Sequence, residues 1–161
     1  MTHLVSMGAE AFASFAEEAV SSYAEDNVIA GRWPGEGAME RSRTEFDRLL
    51  PEGLQTPDHH LYEIVETAEA ATVGCLWYSV SGDKEARAGF VYNIHIKPEY
   101  RGRGYAAAAL VLLEEKARAE GLISMGLHVF GFNTAAQALY RSAGFGVTGL
   151  NMLKLLHRDE A

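Results

Sequence analysis

Hydrophobic and polar positions along the chain follow two periods, one helical and one extended. Four segments place apolar side chains at helical spacing: residues 8–24, 36–50, 106–120 and 134–142. Short runs of apolar and β-branched residues predict strands at 4–6, 59–65, 71–80, 91–96, 123–130, 146–147 and 151–157. Strands followed by alternating strands and helices predict an α+β fold, with a mixed, mostly antiparallel central sheet flanked by helices.

The junction between the fourth of these strands and the long helix carries the most informative residues. Pro98 ends the strand because it cannot extend a ladder, and Arg101-Gly102-Arg103-Gly104-Tyr105-Ala106 follows at the mouth of the helix. Glycines let successive backbone N–H groups form a concavity, and the helix N-terminus adds partial positive charge. Two guanidinium groups suit a pyrophosphate. We call residues 101–106 the anion-binding turn.

Two familiar phosphate motifs do not account for this turn. The run from Gly102 to Ala107 formally satisfies the dinucleotide pattern G-x-G-x-x-A, but that interpretation needs an acidic residue at the end of the next strand. That strand is followed by Gly131-Phe132-Asn133, which has no acid. A Walker A loop needs Gly-Lys-Ser/Thr, which is absent from the sequence.

Composition and charge restrict the remaining possibilities. A chain of 161 residues suits one domain, residues 1–161, and its net charge of −8 argues against nucleic acid as a partner. No apolar run approaches the roughly 20 residues that span a bilayer, so no membrane partner is expected. The only cysteine, Cys75, cannot form an internal disulfide and lacks metal-ligand spacing. These features predict a cytoplasmic protein without a metal.

The anion-binding turn belongs to a longer pattern that is typical of one family. Arg101, Gly104 and Ala106 fit R-x-x-G-x-A, and the residues before them read NIHIKPEY. Downstream come Asn133, Tyr140 and Gly144-Phe145 in the order and spacing of that family. The chain therefore resembles the GCN5-related N-acetyltransferases over at least residues 61–157.

The resemblance implies that strands 4 and 5 splay apart and that acetyl-CoA is the cosubstrate. The backbone of Ile94–Ile96 would contact the pantetheine arm, and the anion-binding turn would bind the pyrophosphate. Asn133 would cap a helix and direct its side chain toward the pantetheine groove. The expected cofactor-binding residues are Ile94, His95, Ile96, Arg101, Gly102, Arg103, Gly104, Tyr105, Ala106 and Asn133.

The resemblance also assigns catalytic and substrate-binding roles. The Tyr140 hydroxyl would protonate the leaving thiolate, and His128 stands where ribosomal-protein acetyltransferases of this family carry a catalytic glutamate. A structural role for His128 as an ordinary hydrogen-bonded histidine stays open at this point. Trp33, His60 and Tyr92 are the expected substrate-binding residues, and the first two helices would lie over the acceptor site.

The resulting prediction is transfer of an acetyl group to a primary amine, by direct attack in a ternary complex. The acceptor would be a small molecule or a peptide, and the sequence does not decide between a monomer and a homodimer. The alternative is a protein without turnover, which would act as an acyl-CoA sensor or as an interaction module.

Overall fold

The computed structural model describes residues 1–156, which form five strands and four α-helices. The strands are β1 Thr2–Ser6, β2 His59–Glu66, β3 Ala71–Ser81, β4 Ala88–Ile96 and β5 Ser124–Leu127. The helices are α1 Ala9–Ile29, α2 Ala38–Leu49, α3 Tyr105–Ala119 and α4 Thr134–Ser142. No helix among these residues is long and apolar enough to cross a membrane.

The strands form one mixed sheet in the order β1-β2-β3-β4-β5. The first four pair antiparallel as a meander, whereas β5 pairs parallel to β4. A parallel partner requires a crossover connection, and α3 provides it. The predicted α+β class and mixed sheet are therefore confirmed.

Two apolar clusters cover the two faces of the sheet. One lies under α1 and α2 and includes Phe15, Phe46 and Trp77. The other lies under α3 and includes Leu76, Tyr78 and Leu113. Because neighbouring side chains on a strand point to opposite faces, Trp77 and Tyr78 belong to different clusters. Each face of the sheet therefore packs its own set of side chains against a different group of helices.

Gly74 lets two central strands approach closely beside a bulge between β2 and β3. The register shifts between Ile64 and Val65, which leaves Val73 without a partner in the ladder. A Cβ on Gly74 would lie 2.2 Å from the carbonyl oxygen of His95, a distance that no side chain tolerates. The bulge is therefore present one residue before the glycine at which it was expected, and the close approach at Gly74 sets how β4 lies against β3.

The first two helices differ from their predicted bounds. Helix α1 was expected to end at Ala24 and runs on to Ile29, and within this extension buried Asn27 donates from Nδ2 to the Tyr23 carbonyl. In α2 the predicted burial of Met39 is wrong, since its side chain is 52% exposed. The loop between the helices is thereby shortened to residues 30–37.

The end of the chain departs most from the sequence-based expectation. Strand β5 has four residues instead of the predicted 123–130, so His128 comes after the strand. The predicted closing pair of strands is wrong within the described residues, because residues 146–156 form no strand. His157, the last residue of that prediction, lies outside the described residues. We call residues 143–156 the C-terminal segment.

Candidate active site

Strands β4 and β5 separate halfway along β4. Their pairing ends at Val91 opposite Leu127, so residues 92–96 have no ladder partner on the β5 side among residues 1–156. The Lys97 N–H donates to the Val73 carbonyl on β3 at 2.9 Å. Because backbone groups alternate sides along an antiparallel strand, Ile94 and Ile96 direct theirs into the opening. The predicted splay is confirmed. Its free backbone groups are the N–H and C=O of Ile94 and the N–H of Ile96, since the Ile96 carbonyl accepts a hydrogen bond from Arg101.

The side chains of this stretch have other partners. Ile94 and Ile96 pack against the cluster under α3. On the opposite face His95 places Nε2 3.1 Å from Oε1 of Glu18 on α1. His95 therefore contacts α1 through its side chain and β3 through its backbone.

The anion-binding turn presents a row of free backbone donors. Gly102 and Gly104 have φ values of +74° and +83°, which other residues adopt only with strain. The first intrahelical bond of α3 runs from Ala108 N–H to the Gly104 carbonyl, and no side chain caps the helix. The six N–H groups from Gly102 to Ala107 donate no hydrogen bond to any atom of residues 1–156. Such a row at a helix N-terminus binds anions.

The two arginines of the turn are tethered to the backbone and retain their charge. Arg101 donates from Nε to the Ile96 carbonyl at 2.9 Å, which leaves its two terminal nitrogens free of partners within residues 1–156. Arg103 donates to the Glu99 carbonyl at 3.2 Å and lies over the Tyr100 ring. Neither forms an ion pair with a carboxylate of the described chain. Both positive charges are therefore available to a bound pyrophosphate.

Asn133 and Tyr140 lie on α4 in the predicted order. The Asn133 Oδ1 accepts from the Ala136 N–H at 3.1 Å, so its predicted role as the N-cap is confirmed. Tyr140 follows two turns later, half-buried, with its ring edge-on to Phe145. Burial raises the pKa of the Tyr140 phenol above its ordinary value near 10. The hydroxyl is therefore protonated at neutral pH and able to donate a proton.

His128 lies immediately after β5, with its ring edge-on to Phe130 at 4.9 Å between centroids. Burial, and secondly the positive charge of Arg32, lowers the pKa of His128 below its ordinary value near 6.5. The imidazole is consequently neutral at pH 7 and can accept a proton. His128, Tyr140 and Arg32 line one cavity of about 1910 Å³.

The three expected substrate-binding residues do not come together. Tyr92 stacks on Trp77 on the α1 face of the sheet, at 4.6 Å between ring centroids. His60 lies on the opposite face, where it stacks on Tyr78 at 4.9 Å. His59 takes the place beside Tyr92 and accepts a 2.9 Å hydrogen bond from Trp77 Nε1. The strict two-residue alternation of β2 was the signal that separates His59 from His60.

Trp33 reaches His128 through a chain of aromatic contacts. Its ring meets Tyr23 edge-on at 5.4 Å, Tyr23 contacts Phe130 at 6.5 Å, and Phe130 contacts His128. Sequence reasoning did not select Tyr23 or Phe130, because each looked like an ordinary apolar position of its element. The α1–α2 loop thus borders the cavity through Arg32, with Trp33 behind it.

Cys75 lies on β3, where it packs against the cluster under α1 and α2. Burial, with a smaller contribution from Glu18, raises the pKa of its thiol to about 12. A thiol that stays protonated is a poor nucleophile. No group of three or more potential metal-binding side chains occurs within residues 1–156.

Comparison with known proteins agrees with this geometry. The model of the acetyltransferase (GNAT) family matches residues 19–145. The chain belongs to the GNAT family. Members generally use acetyl-CoA and act on amine acceptors, and this chain is accordingly an acetyltransferase.

Two relatives from Bacillus subtilis match almost end to end. The chain is 39% identical to the uncharacterized N-acetyltransferase YycN and 30% identical to YdgE, in each case over 95% of this chain and 97% of the relative. The crystal structure of YycN superposes with a TM-score of 0.93 at 37% identity, over 98% of this chain and 100% of that one. An acetyltransferase from Pyrococcus furiosus shares the fold, with a TM-score of 0.69 at 24% identity, over 97% of this chain and 100% of that one.

Proposed function

We propose that this GNAT protein transfers the acetyl group of acetyl-CoA directly to a primary amine, in a ternary complex. The acceptor is a small molecule or a peptide that presents a free amino group. We further propose a cytoplasmic location, since the only cysteine has no partner in the chain for a disulfide.

Binding rests on the anion-binding turn and on β4. The free N–H groups of Gly102–Ala107 and the guanidinium groups of Arg101 and Arg103 hold the pyrophosphate. The N–H and C=O of Ile94 and the N–H of Ile96 pair with the pantetheine amides, as an additional strand would. The Gly102 and Gly104 positions have no atom within 4 Å of an added Cβ, so a ligand can approach the backbone.

The chemistry needs a proton acceptor for the amine and a proton donor for the thiolate. Neutral His128 takes a proton from the acceptor ammonium, and the resulting free amine attacks the thioester carbonyl, which a backbone N–H of Ile94 or Ile96 polarises. After attack the nitrogen loses its second proton to solvent. A new C–N bond forms and the C–S bond breaks. Tyr140 then delivers its phenolic proton to the sulfur and is reprotonated from solvent.

One observation carries this proposal: the imidazole of His128 and the phenol of Tyr140 line the same cavity. A sensor that only binds acyl-CoA needs neither a proton acceptor nor a proton donor there. The raised pKa of the Cys75 thiol makes it a poor nucleophile, which supports direct attack by the amine over an acyl-cysteine intermediate.

The test is a panel of amines incubated with acetyl-CoA, with acetylated products detected by mass spectrometry. The panel should contain α-amino and ε-amino groups on both free amino acids and peptides. We expect at least one acetylated amine whose yield depends on the protein. Hydrolysis of acetyl-CoA should be far slower than this transfer. Tight acetyl-CoA binding without any acetylated amine would favour the sensor.

A further inference from the structure

Strand β5 leaves one edge of the sheet open. Its inner edge pairs with β4, and no strand pairs with its outer edge among residues 1–156. An open edge presents unpaired N–H and C=O groups that accept a further strand. The cavity that contains His128 and Tyr140 lies along this edge, between β5, α3 and the C-terminal segment.

Large apolar side chains are exposed on the walls of this cavity. Ile29 on α1, Val111 on α3 and Ile123 before β5 line it with side chains that are 63%, 56% and 71% exposed. The cavity volume of about 1910 Å³ exceeds the roughly 300–1,000 Å³ typical of a small-molecule site. The space therefore suits a stretch of polypeptide in addition to a substrate.

The C-terminal segment carries complementary side chains that nothing within residues 1–156 covers. Six large apolar residues have exposures from 61% to 94%: Val147, Leu150, Met152, Leu153, Leu155 and Leu156. A short, almost continuous apolar run is typical of a buried strand. The segment runs past Gly31 in the α1–α2 loop, with Leu153 3.7 Å from the position of an added Cβ there. The segment lines the same cavity as β5 but forms no ladder with it.

The total surface gives the size of the missing contact. The chain exposes 10541 Å², whereas a compact monomer of 17.6 kDa exposes about 7,900 Å². The excess of roughly 2,600 Å² per chain is what one partner contributes to a large, obligate dimer interface. A two-fold symmetric dimer, in which the apolar segment of each chain fills the open groove of the other, would bury both surfaces at once.

We propose that two copies of this chain exchange their C-terminal segments, so that residues 143–156 of each add a strand to β5 of the other. The glycines at 144, 146 and 149 provide the turn that lets the segment leave its own chain, and Gly144 has a φ of +92°. In the exchanged dimer each cavity with His128 and Tyr140 acquires a wall from the second copy. The dimer itself does not depend on the proposed acetyl transfer.

The first test is the mass of the wild-type protein by light scattering after size-exclusion chromatography. We expect twice the chain mass at micromolar concentration. The double variant Leu150→Asp/Leu156→Asp should run as a monomer, since it places charges in the exchanged strand. Met39→Asp is the matched control, because Met39 is also exposed but lies on α2, and this variant should stay dimeric. A monomeric wild type, or a dimeric double variant, would overturn the proposal.

The second test separates exchange from simple side-by-side dimerisation. In a Cys75→Ser background, one chain carries Val111→Cys and another carries Leu150→Cys, and the two are refolded together and oxidised. Each chain then has a single thiol, so any disulfide between positions 111 and 150 joins two chains. We expect this disulfide, identified by peptide mass spectrometry, and none when Met39→Cys replaces Leu150→Cys. A dimer that lacks the 111–150 link would rule out the exchange and leave the amine-panel result unaffected.

Discussion

At the scale of single residues, Tyr140 and His128 have environments that move their pKa values apart. Burial keeps the phenol protonated and the imidazole neutral at pH 7. These are the states that an acid and a base need before the reaction begins. The shifts hold the phenol in its donating form and the imidazole in its accepting form with a wider margin than either group has free in water.

The variant Tyr140→Phe tests the acid. It preserves the ring and its edge-on contact with Phe145 and removes only the donor. We expect kcat to fall by about 10²-fold, while the dissociation constant of acetyl-CoA stays unchanged. The measurement pairs steady-state kcat with a direct titration of acetyl-CoA. A Phe variant with full kcat would eliminate Tyr140 as the proton donor.

The variant His128→Gln tests the base through the pH profile. Because the pKa of His128 is lowered from about 6.5, its active neutral form predominates at pH 7 and is lost only as the pH falls below 6.5. The wild-type kcat/KM should therefore decline on the acid side with an inflection below pH 6.5. The Gln variant should be slower and lack this inflection. If its profile matches that of the wild type, His128 has only a structural role.

At the scale of elements, the turn before α3 and the end of β4 form the binding surface. The turn could be predicted from the sequence because its conformation depends on local residues, namely the two glycines and the helix they precede. The N-cap at Asn133 and the bounds of α4 were predictable for the same reason. The side-chain contact between His95 and Glu18 was not, since it joins residues 77 positions apart in the sequence.

Arg101→Ala and Arg103→Ala test the anion-binding turn. Each should weaken acetyl-CoA binding by about 1.5–3 kcal/mol, the contribution of a charge-assisted hydrogen bond. Acetyl-pantetheine, which has no pyrophosphate, provides the control, and its affinity should not change in either variant. Wild-type affinity for acetyl-CoA in both variants would place the anion site elsewhere. Calorimetric titration measures all of these constants.

Gly74→Ala tests how β4 is held against β3. The new methyl group would lie 2.2 Å from the His95 carbonyl oxygen, so the strands must shift apart. We expect the free energy of unfolding to fall by about 1–3 kcal/mol in urea denaturation at a fixed protein concentration. Gly35→Ala is the control, because no atom lies within 4 Å of its added Cβ. Equal stability of the two variants would contradict the close approach.

At the scale of the whole molecule, the meander and the crossover helix follow from patterns visible in the sequence, whereas the splay was implied by the family resemblance. The C-terminal segment does not follow from such patterns. Its apolar residues predicted two strands, which is wrong for residues 146–156. Where such a segment packs depends on what covers it, and periodicity carries no information about the partner. For a related reason the sequence did not show that His59, and not His60, lies beside Tyr92. A one-residue shift of a strand moves every side chain to the opposite face of the sheet.

The central claim is direct transfer of an acetyl group from acetyl-CoA to an amine, and initial rates test it most directly. Thiol release is measured while acetyl-CoA and the best amine of the panel are both varied. We predict release that requires the amine, with intersecting lines in double-reciprocal plots, as a ternary complex demands. Parallel lines with acetyl label on Cys75 would contradict direct attack. Absence of amine-dependent release across the whole panel would contradict the proposed activity itself.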